Sequence, residues 1–317
     1  MDSGNITDAG PTGAIPRRLP RFLRRKTVGG VAFDTFNMLV LVLFCLTIIY
    51  PFWATLLLSF SDEREATSLG FHVWISHWTL TSYKFAFSRY GNVPTAYLNS
   101  IIRVVFGTLL TLAVTTLGGY PLSKRNLPYR NAFTAYFLIT MFFSGGLIPS
   151  YLLIKSLGLI DRRLALILPG MASGYYIIIM RNFFMTLDAA LEESAFMDGA
   201  NYLQILVSIV LPLSKPVLAT IALWTAVGHW NAWFDAMIYI RSESKVVLQL
   251  LLQRLIQMVQ TATSTNVERW ADLEDVELPT EAVKAAIIVI TIGPIVLFYP
   301  FLQKYFIKGI FLGSLKG

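Results

Sequence analysis

Residues 187–216, LDAALEESAFMDGANYLQILVSIVLPLSKP, gather side chains suited to gripping another protein. The stretch reads as a short helix, a glycine break and a second helix. Asp188 can cap the first helix, and Glu192 and Glu193 lie near its positive end. Ser194 and Ala195 present a small surface that another chain could approach closely. Gly199 permits a turn that most residues resist. Pro212 and Pro216 precede the next apolar run, and Pro216 suits a first helical turn. Such a compact, acidic, small-residue knob fits docking into a partner's groove, or is an ordinary solvated loop.

The elements around this knob are set by composition. The chain has 317 residues, 55% of them hydrophobic and only 14% charged, against about 25% charged in ordinary soluble domains. Mean hydropathy is +0.59. This is a membrane protein by class. Six stretches are long and apolar enough to span a bilayer: about 35–60, 104–123, 131–154, 164–180, 216–234 and 285–303. Helices are the form such runs take, because backbone groups in lipid must be satisfied within the segment. The fold class is therefore all-α, with six transmembrane helices.

Loop charges set the orientation. Arg17, Arg18, Arg21, Arg24, Arg25 and Lys26, then Lys124, Arg125 and Arg130, then Lys304, Lys308 and Lys316 fall on one side. The loop at 235–283 falls on the other side and is acid-rich. The positive-inside rule puts both termini in the cytoplasm. Arg162 and Arg163 fall outside, a mild exception. Residues 1–33 form a mobile basic tail before a membrane domain at 34–317. The net charge of +7 reflects this topology, and nucleic acid is not an expected partner. One cysteine (Cys45) and three scattered histidines (His72, His77, His229) leave no metal centre or disulfide framework, and no cofactor is expected.

Sugars need aromatic faces and hydrogen-bonding groups inside a bundle. Trp230, Asn231 and Trp233 at the end of span five, and Tyr175 in span four, are candidates for such a path. An interfacial belt accounts equally for Trp230 and Trp233, and better for the other residues there, Tyr175, Tyr176, Trp224 and Asn231 among them. Arg103 is an intramembrane charge that either faces a water-filled cavity or snorkels. Arg181 is expected to snorkel at the inner end of span four. The segment KVVLQLLLQRLIQMV within 235–283 is amphipathic and is expected to lie over the pore mouth, where a binding protein could meet it.

The 187–216 stretch also resembles the coupling loop of ABC importer permeases. That pattern runs Glu-Ala-Ala, three residues, Gly, nine residues, Ile-x-Leu-Pro. Glu193, Ser194 and Ala195, then Gly199, then Ile209, Leu211 and Pro212 keep every spacing, with Ser replacing the first Ala. GGYPLSKR at 118–125, LIPSYLLIKSLGLIDRRLALILP at 147–169 and YPFLQKYFIKGIFLGSLKG at 299–317 are similar to other parts of the family, so the likeness covers about 30–317. The carbohydrate-uptake branch, which includes the maltose transporter's second permease, is the nearest in pattern. Within it the subgroup of alginate-oligosaccharide importers looks most alike.

The resemblance implies a type I importer permease fold in the bacterial cytoplasmic membrane, with a cytoplasmic coupling helix at 187–205. It implies a second homologous permease, two ATP-binding subunits, an extracytoplasmic binding protein and an oligosaccharide substrate as partners. Glu192, Glu193, Ser194, Ala195, Asp198, Gly199, Ala200 and Pro212 would meet the ATPase. The chain has no Gly-x4-Gly-Lys-Ser/Thr sequence, so it would not be the enzyme itself. An importer for another solute is the alternative. An ion-coupled transporter would call for an inverted repeat and intramembrane acids that the chain lacks, and a membrane enzyme would leave the 193–212 spacing without a role.

Overall fold

Continuous apolarity makes long helices, and small or polar residues along one face decide how they pack. The computed structural model describes residues 28–66, 74–88, 93–264, 281–294 and 296, all helix, turn or coil with no strand among them. The basic tail up to residue 27, the acidic run 265–280 and the basic terminus beyond 296 lie outside the described residues. The chain divides into two compact units, residues 1–52 and 53–317.

The first unit contains most of helix α1 (Val28–Ser59), in which an 18-residue window reaches a mean hydropathy of 2.3. The hydroxyls of Thr35 and Thr47 bond back to the carbonyls of Val31 and Leu43, at 2.9 Å each, as a helix in hydrocarbon requires. Cys45 is exposed on it.

The second unit follows with short α2 (Glu63–Ala66) and α3 (Thr81–Ser88), then the 31-residue α4 (Val93–Ser123). Helices α5 (Arg130–Phe142), α6 (Leu147–Ser156), α7 (Gly174–Phe184) and α8 (Ala189–Met197) come next. They lead to α9 (Tyr202–Ile205), a π turn at Leu206–Val210, α10 (Leu211–Leu213) and α11 (Lys215–Asn231). Helices α12 (Phe234–Tyr239) and α13 (Leu248–Ser264) follow, and residues 281–294 are helical again.

Helix α4 is the axis of this unit and packs chiefly on α7 and α11. Its buried face carries Asn99, Arg103, Gly107, Thr111, Thr115, Gly119 and Ser123, one per turn. Small side chains at that spacing let neighbouring helices approach closely. A Cβ on Gly119 would stand 3.1 Å from the Met180 Cβ of α7. Helix α13 is amphipathic as expected, burying Leu248, Leu250, Leu251 and Leu255 and packing on α4.

Two polar networks close the ends of α4. At its N-terminal end the Asn99 amide donates to the carbonyls of Ser244 (3.0 Å) and Val246 (2.9 Å), and accepts from Arg163 Nε (2.9 Å). Asp161 in the turn before α7 accepts from the backbone of Arg241 and Ser242 at 3.1 and 2.9 Å and from Lys245 Nζ at 2.8 Å. At the C-terminal end the Leu122 carbonyl accepts from Arg130 Nε (2.9 Å) and Arg181 Nε (3.2 Å). About 35 Å of helix, from Asn99 to Leu122, separates the two networks, enough to cross the hydrocarbon core of a bilayer.

Three expectations are corrected. The run 131–154 is not one straight span, because α5 and α6 meet at 112° across residues 143–146. Uniform apolarity hid the break, which falls at Ser144–Gly145–Gly146, where a tight turn costs least. Span four likewise begins as two 3-10 turns, Arg163–Leu166 and Leu168–Gly170, bent 50° from α7. Arg181 does not snorkel but caps the end of α4. By length and composition the described residues hold two helices able to cross a membrane, or up to five with each bent pair taken as one span.

Candidate functional site

The 187–213 segment forms a rigid knob because each of its turns is closed by local bonds. The Asp188 carboxylate accepts from Ala190 N at 3.0 Å, capping α8 as expected. Helix α8 ends in a Schellman arrangement: Ala200 N donates to the Ala195 carbonyl and Gly199 N to that of Phe196, both at 3.0 Å. Gly199 takes φ 84, the left-handed conformation that this motif assigns to glycine. The next helix opens on a capping box, Gln204 N to Asn201 Oδ1 at 3.0 Å and Asn201 N to Gln204 Oε1 at 2.8 Å. The chain then turns 81° at Ser214 into α11, with Pro216 in its first turn.

The knob has two faces. Its inner face is Ala195, only 8% exposed, which packs with Ala200 into a cluster of Tyr120, Met180, Phe184, Ile205, Leu206, Val210 and Ile221. Its outer face leaves Glu193, Ser194, Asp198 and Gly199 exposed, and Pro212 is exposed on α10. Glu192 departs from its expected company. Its carboxylate pairs with Lys124 Nζ at the end of α4, and both side chains are more than four-fifths buried. Lys124 Nζ also sits 4.1 Å above the Tyr120 ring. The tie joins α8 to the end of α4, turning Glu192 inward.

Several residues here escape sequence reasoning. Met197 is 89% exposed, and Tyr202 and Leu203 are exposed beside it. Phe196 and Tyr202 meet edge to face at 4.8 Å across the Gly199 turn. Exposed large apolar groups gathered on a polar knob are chemically suited to meeting another surface. Their signal in the sequence is the placing of FM and YL on either side of an acidic turn, DGAN.

The five path candidates do not share one exposed face. Trp230 is 8% exposed in the core, edge-on to Tyr97 at 5.7 Å, with Nε1 donating to the Thr291 carbonyl at 3.2 Å. Trp233 packs on the same core and against Phe234. Arg103 neither snorkels nor faces open water: its guanidinium is buried and forks onto both carboxylate oxygens of Asp235, with Nη1 also donating to the Ala232 carbonyl at 3.0 Å. A bidentate pair of this kind satisfies a charge at membrane depth. Tyr175 and Asn231 are exposed. Among the described residues no three of His, Cys, Asp and Glu are grouped to hold a metal ion.

Known proteins share this architecture. The family model "Binding-protein-dependent transport system inner membrane component" matches residues 123–312, which contain the whole knob. Protein LplC of Bacillus subtilis is 41% identical over 92% of this chain and 97% of its own length. The polygalacturonan/rhamnogalacturonan transport system permease protein YtcP of the same organism is 37% identical over 89% of this chain and 98% of its own. A crystal structure of a bacterial ABC transporter involved in the import of the acidic polysaccharide alginate superposes with a TM-score of 0.78, at 34% identity, covering 88% of this chain and 98% of that one. The chain belongs to the family of binding-protein-dependent transport system inner membrane components.

Proposed function

We propose that this chain is the permease subunit of an ATP-driven importer that passes an oligosaccharide handed over by an extracytoplasmic binding protein. It pairs with a second, homologous permease and with two ATP-binding subunits, which hydrolyse the ATP. Both termini and the knob face the cytoplasm, and the acid-rich stretch at 235–283 faces the binding protein. Saccharide polymers in the names of the YtcP relative and the alginate importer support the substrate class.

One observation carries this reading. Glu193, Ser194, Asp198 and Gly199 are exposed on one side of a knob whose other side, Ala195, is seated against α4, α7 and α11. An outer face open to a partner and an inner face locked to the bundle make a lever. Closure of an ATP-bound partner dimer displaces the knob, and the helices rock about the substrate path between two packed arrangements. Glu193 is the anionic contact offered to a basic group of the ATPase.

The test is reconstitution in proteoliposomes with the second permease, the ATPase dimer and loaded binding protein. ATP hydrolysis is expected to rise with loaded binding protein, and saccharide to accumulate. Glu193→Lys is expected to abolish that stimulation while the subunit still inserts and still docks the binding protein. Uptake that persists without the ATPase, or runs on an ion gradient alone, overturns the importer reading.

A further inference from the structure

Between α7 and α11 lies a face whose chemistry neither lipid nor core packing explains. Trp224 stands nine residues into the 17-residue α11, about 13 Å along its axis, too deep for an interfacial aromatic belt. Its ring stacks on Tyr176 at 6.3 Å and 25°, and lies 6.3 Å from Tyr175. Trp224 and Tyr175 remain exposed, at 39% and 49%.

Polar groups continue the same face in both directions. Asn231 is one heptad beyond Trp224 on α11, and Asn182 one heptad beyond Tyr175 on α7. Seven residues return a helix to nearly the same face, and both amides are exposed. Between Trp224 and Asn231 lies Gly228, with nothing within 4 Å of where a Cβ would stand. The two helices run oppositely, so the groups form one column: Asn231, the three rings, then Asn182. Its length is about 20 Å. Asn231 ends α11 and Asn182 lies in the last turn of α7, so the amides stand at the two ends of the column and the rings lie between them at mid-depth.

Building on the importer reading, we propose that Tyr175, Tyr176, Asn182, Trp224 and Asn231 line the saccharide path, the rings stacking on sugar faces and the amides binding hydroxyls. Sugar rings present apolar C–H faces between rims of hydroxyls, and an aromatic surface with a few placed polar groups is the form such ligand sites take. Gly228 leaves the column open. Trp230, Trp233 and Arg103, by contrast, hold the bundle together.

The decisive experiment places single cysteines, Asn182→Cys and Asn231→Cys, in a Cys45→Ser background within the assembled complex. A membrane-impermeant maleimide is expected to label both, with rates that change oppositely as nucleotide switches the complex between its two states. In the same complex Trp224→Ala is expected to slow uptake of oligosaccharides from alginate and polygalacturonan digests about five- to ten-fold. Trp224→Phe should stay near the parent rate, and both variants should co-purify with the other subunits as the parent does. Labelling of the isolated chain but not of the complex means that the second permease covers the face, and overturns the path. No labelling in either means lipid, and overturns it too. Normal uptake by Trp224→Ala overturns this lining alone. A parent complex that imports no oligosaccharide overturns the importer's substrate class, and the sugar assignment with it.

Discussion

At Gly199 the backbone stands at φ 84 with open space where a Cβ would go, so substitution there is resisted by backbone strain alone. The strain is about 1–2 kcal/mol for an ordinary L-residue, less for Asn, and greatest for a β-branched one. Coupled ATP hydrolysis is therefore expected to fall in the order Gly, Asn, Ala, Val at this position while insertion is unchanged. Equal activity for Asn and Val would remove the conformational explanation. The Lys124–Glu192 tie makes a second prediction. Either charge left alone is more than four-fifths buried, so Lys124→Glu or Glu192→Lys should each lower the melting temperature of the purified complex by the equivalent of about 1–3 kcal/mol. The double exchange should recover much of it, and a double variant no better than the singles would mean that the pair does not form. Gly199 and the Asp188 cap were legible in the sequence because their causes are local. The tie was not, since its partners lie 68 residues apart and only packing of α8 against α4 brings them together. For the same reason Arg103 and Asp235, 132 residues apart, gave no sign of one another.

Among the elements, α7 is held close to its neighbours by glycines. A Cβ on Gly174 would stand 2.6 Å from the Phe137 carbonyl of α5, an impossible approach to backbone. Gly174→Val must push α7 from α5, and a loss of about 1–3 kcal/mol is expected in unfolding of the detergent-solubilised chain. Unchanged stability would mean that the two helices do not meet there. The clasp before α7 has a pH signature. Lys245 Nζ, the Ser242 hydroxyl and backbone, and Arg241 N hold the Asp161 carboxyl well below the usual carboxylate range. A depressed carboxyl contributes stability that is complete above its unfolded value of about 3.9 and fades as pH falls through the folded value. Asp161→Asn keeps the shape and removes the charge, so its melting temperature should trail the parent at pH 7 and converge with it in strong acid. A gap that persists in acid would assign the effect to something other than this charge. Asn also tolerates the left-handed backbone at Asp161, φ 59. Helix existence was legible here from apolar length, whereas the corners at 143–146 and Ser214 were not. A bend leaves no trace in hydropathy when apolar residues continue on both sides of it.

At the scale of the whole molecule the two polar networks divide the connections of the second unit into two sets. The turn at Asp161, the start of α4 and residues 239–248 share one network. The end of α4, Arg130, Arg181 and the knob share the other. Arg162 and Arg163 looked like exceptions to the positive-inside rule, but Arg163 is held by Asn99, Lys245 by Asp161 and Arg254 by Glu243. Cations paired within the clasp are structural and say little about orientation. Lys124 and Arg130 are held in the same way, by Glu192 and by the Leu122 carbonyl, so the proposed orientation, with the knob end in the cytoplasm, rests on Arg125 and on the basic runs at 17–26 and 304–316. A reporter active only in the cytoplasm is therefore expected to work when fused after residue 126 or at the C-terminus, and to fail after residue 243. A reporter active only outside should show the reverse. An external signal at 126 would turn the molecule over, moving the knob away from any cytoplasmic ATPase. No arrangement of partners could then rescue the lever, because α4 carries both networks on one rigid helix and cannot present its knob end to the cytoplasm while its other end stays there too.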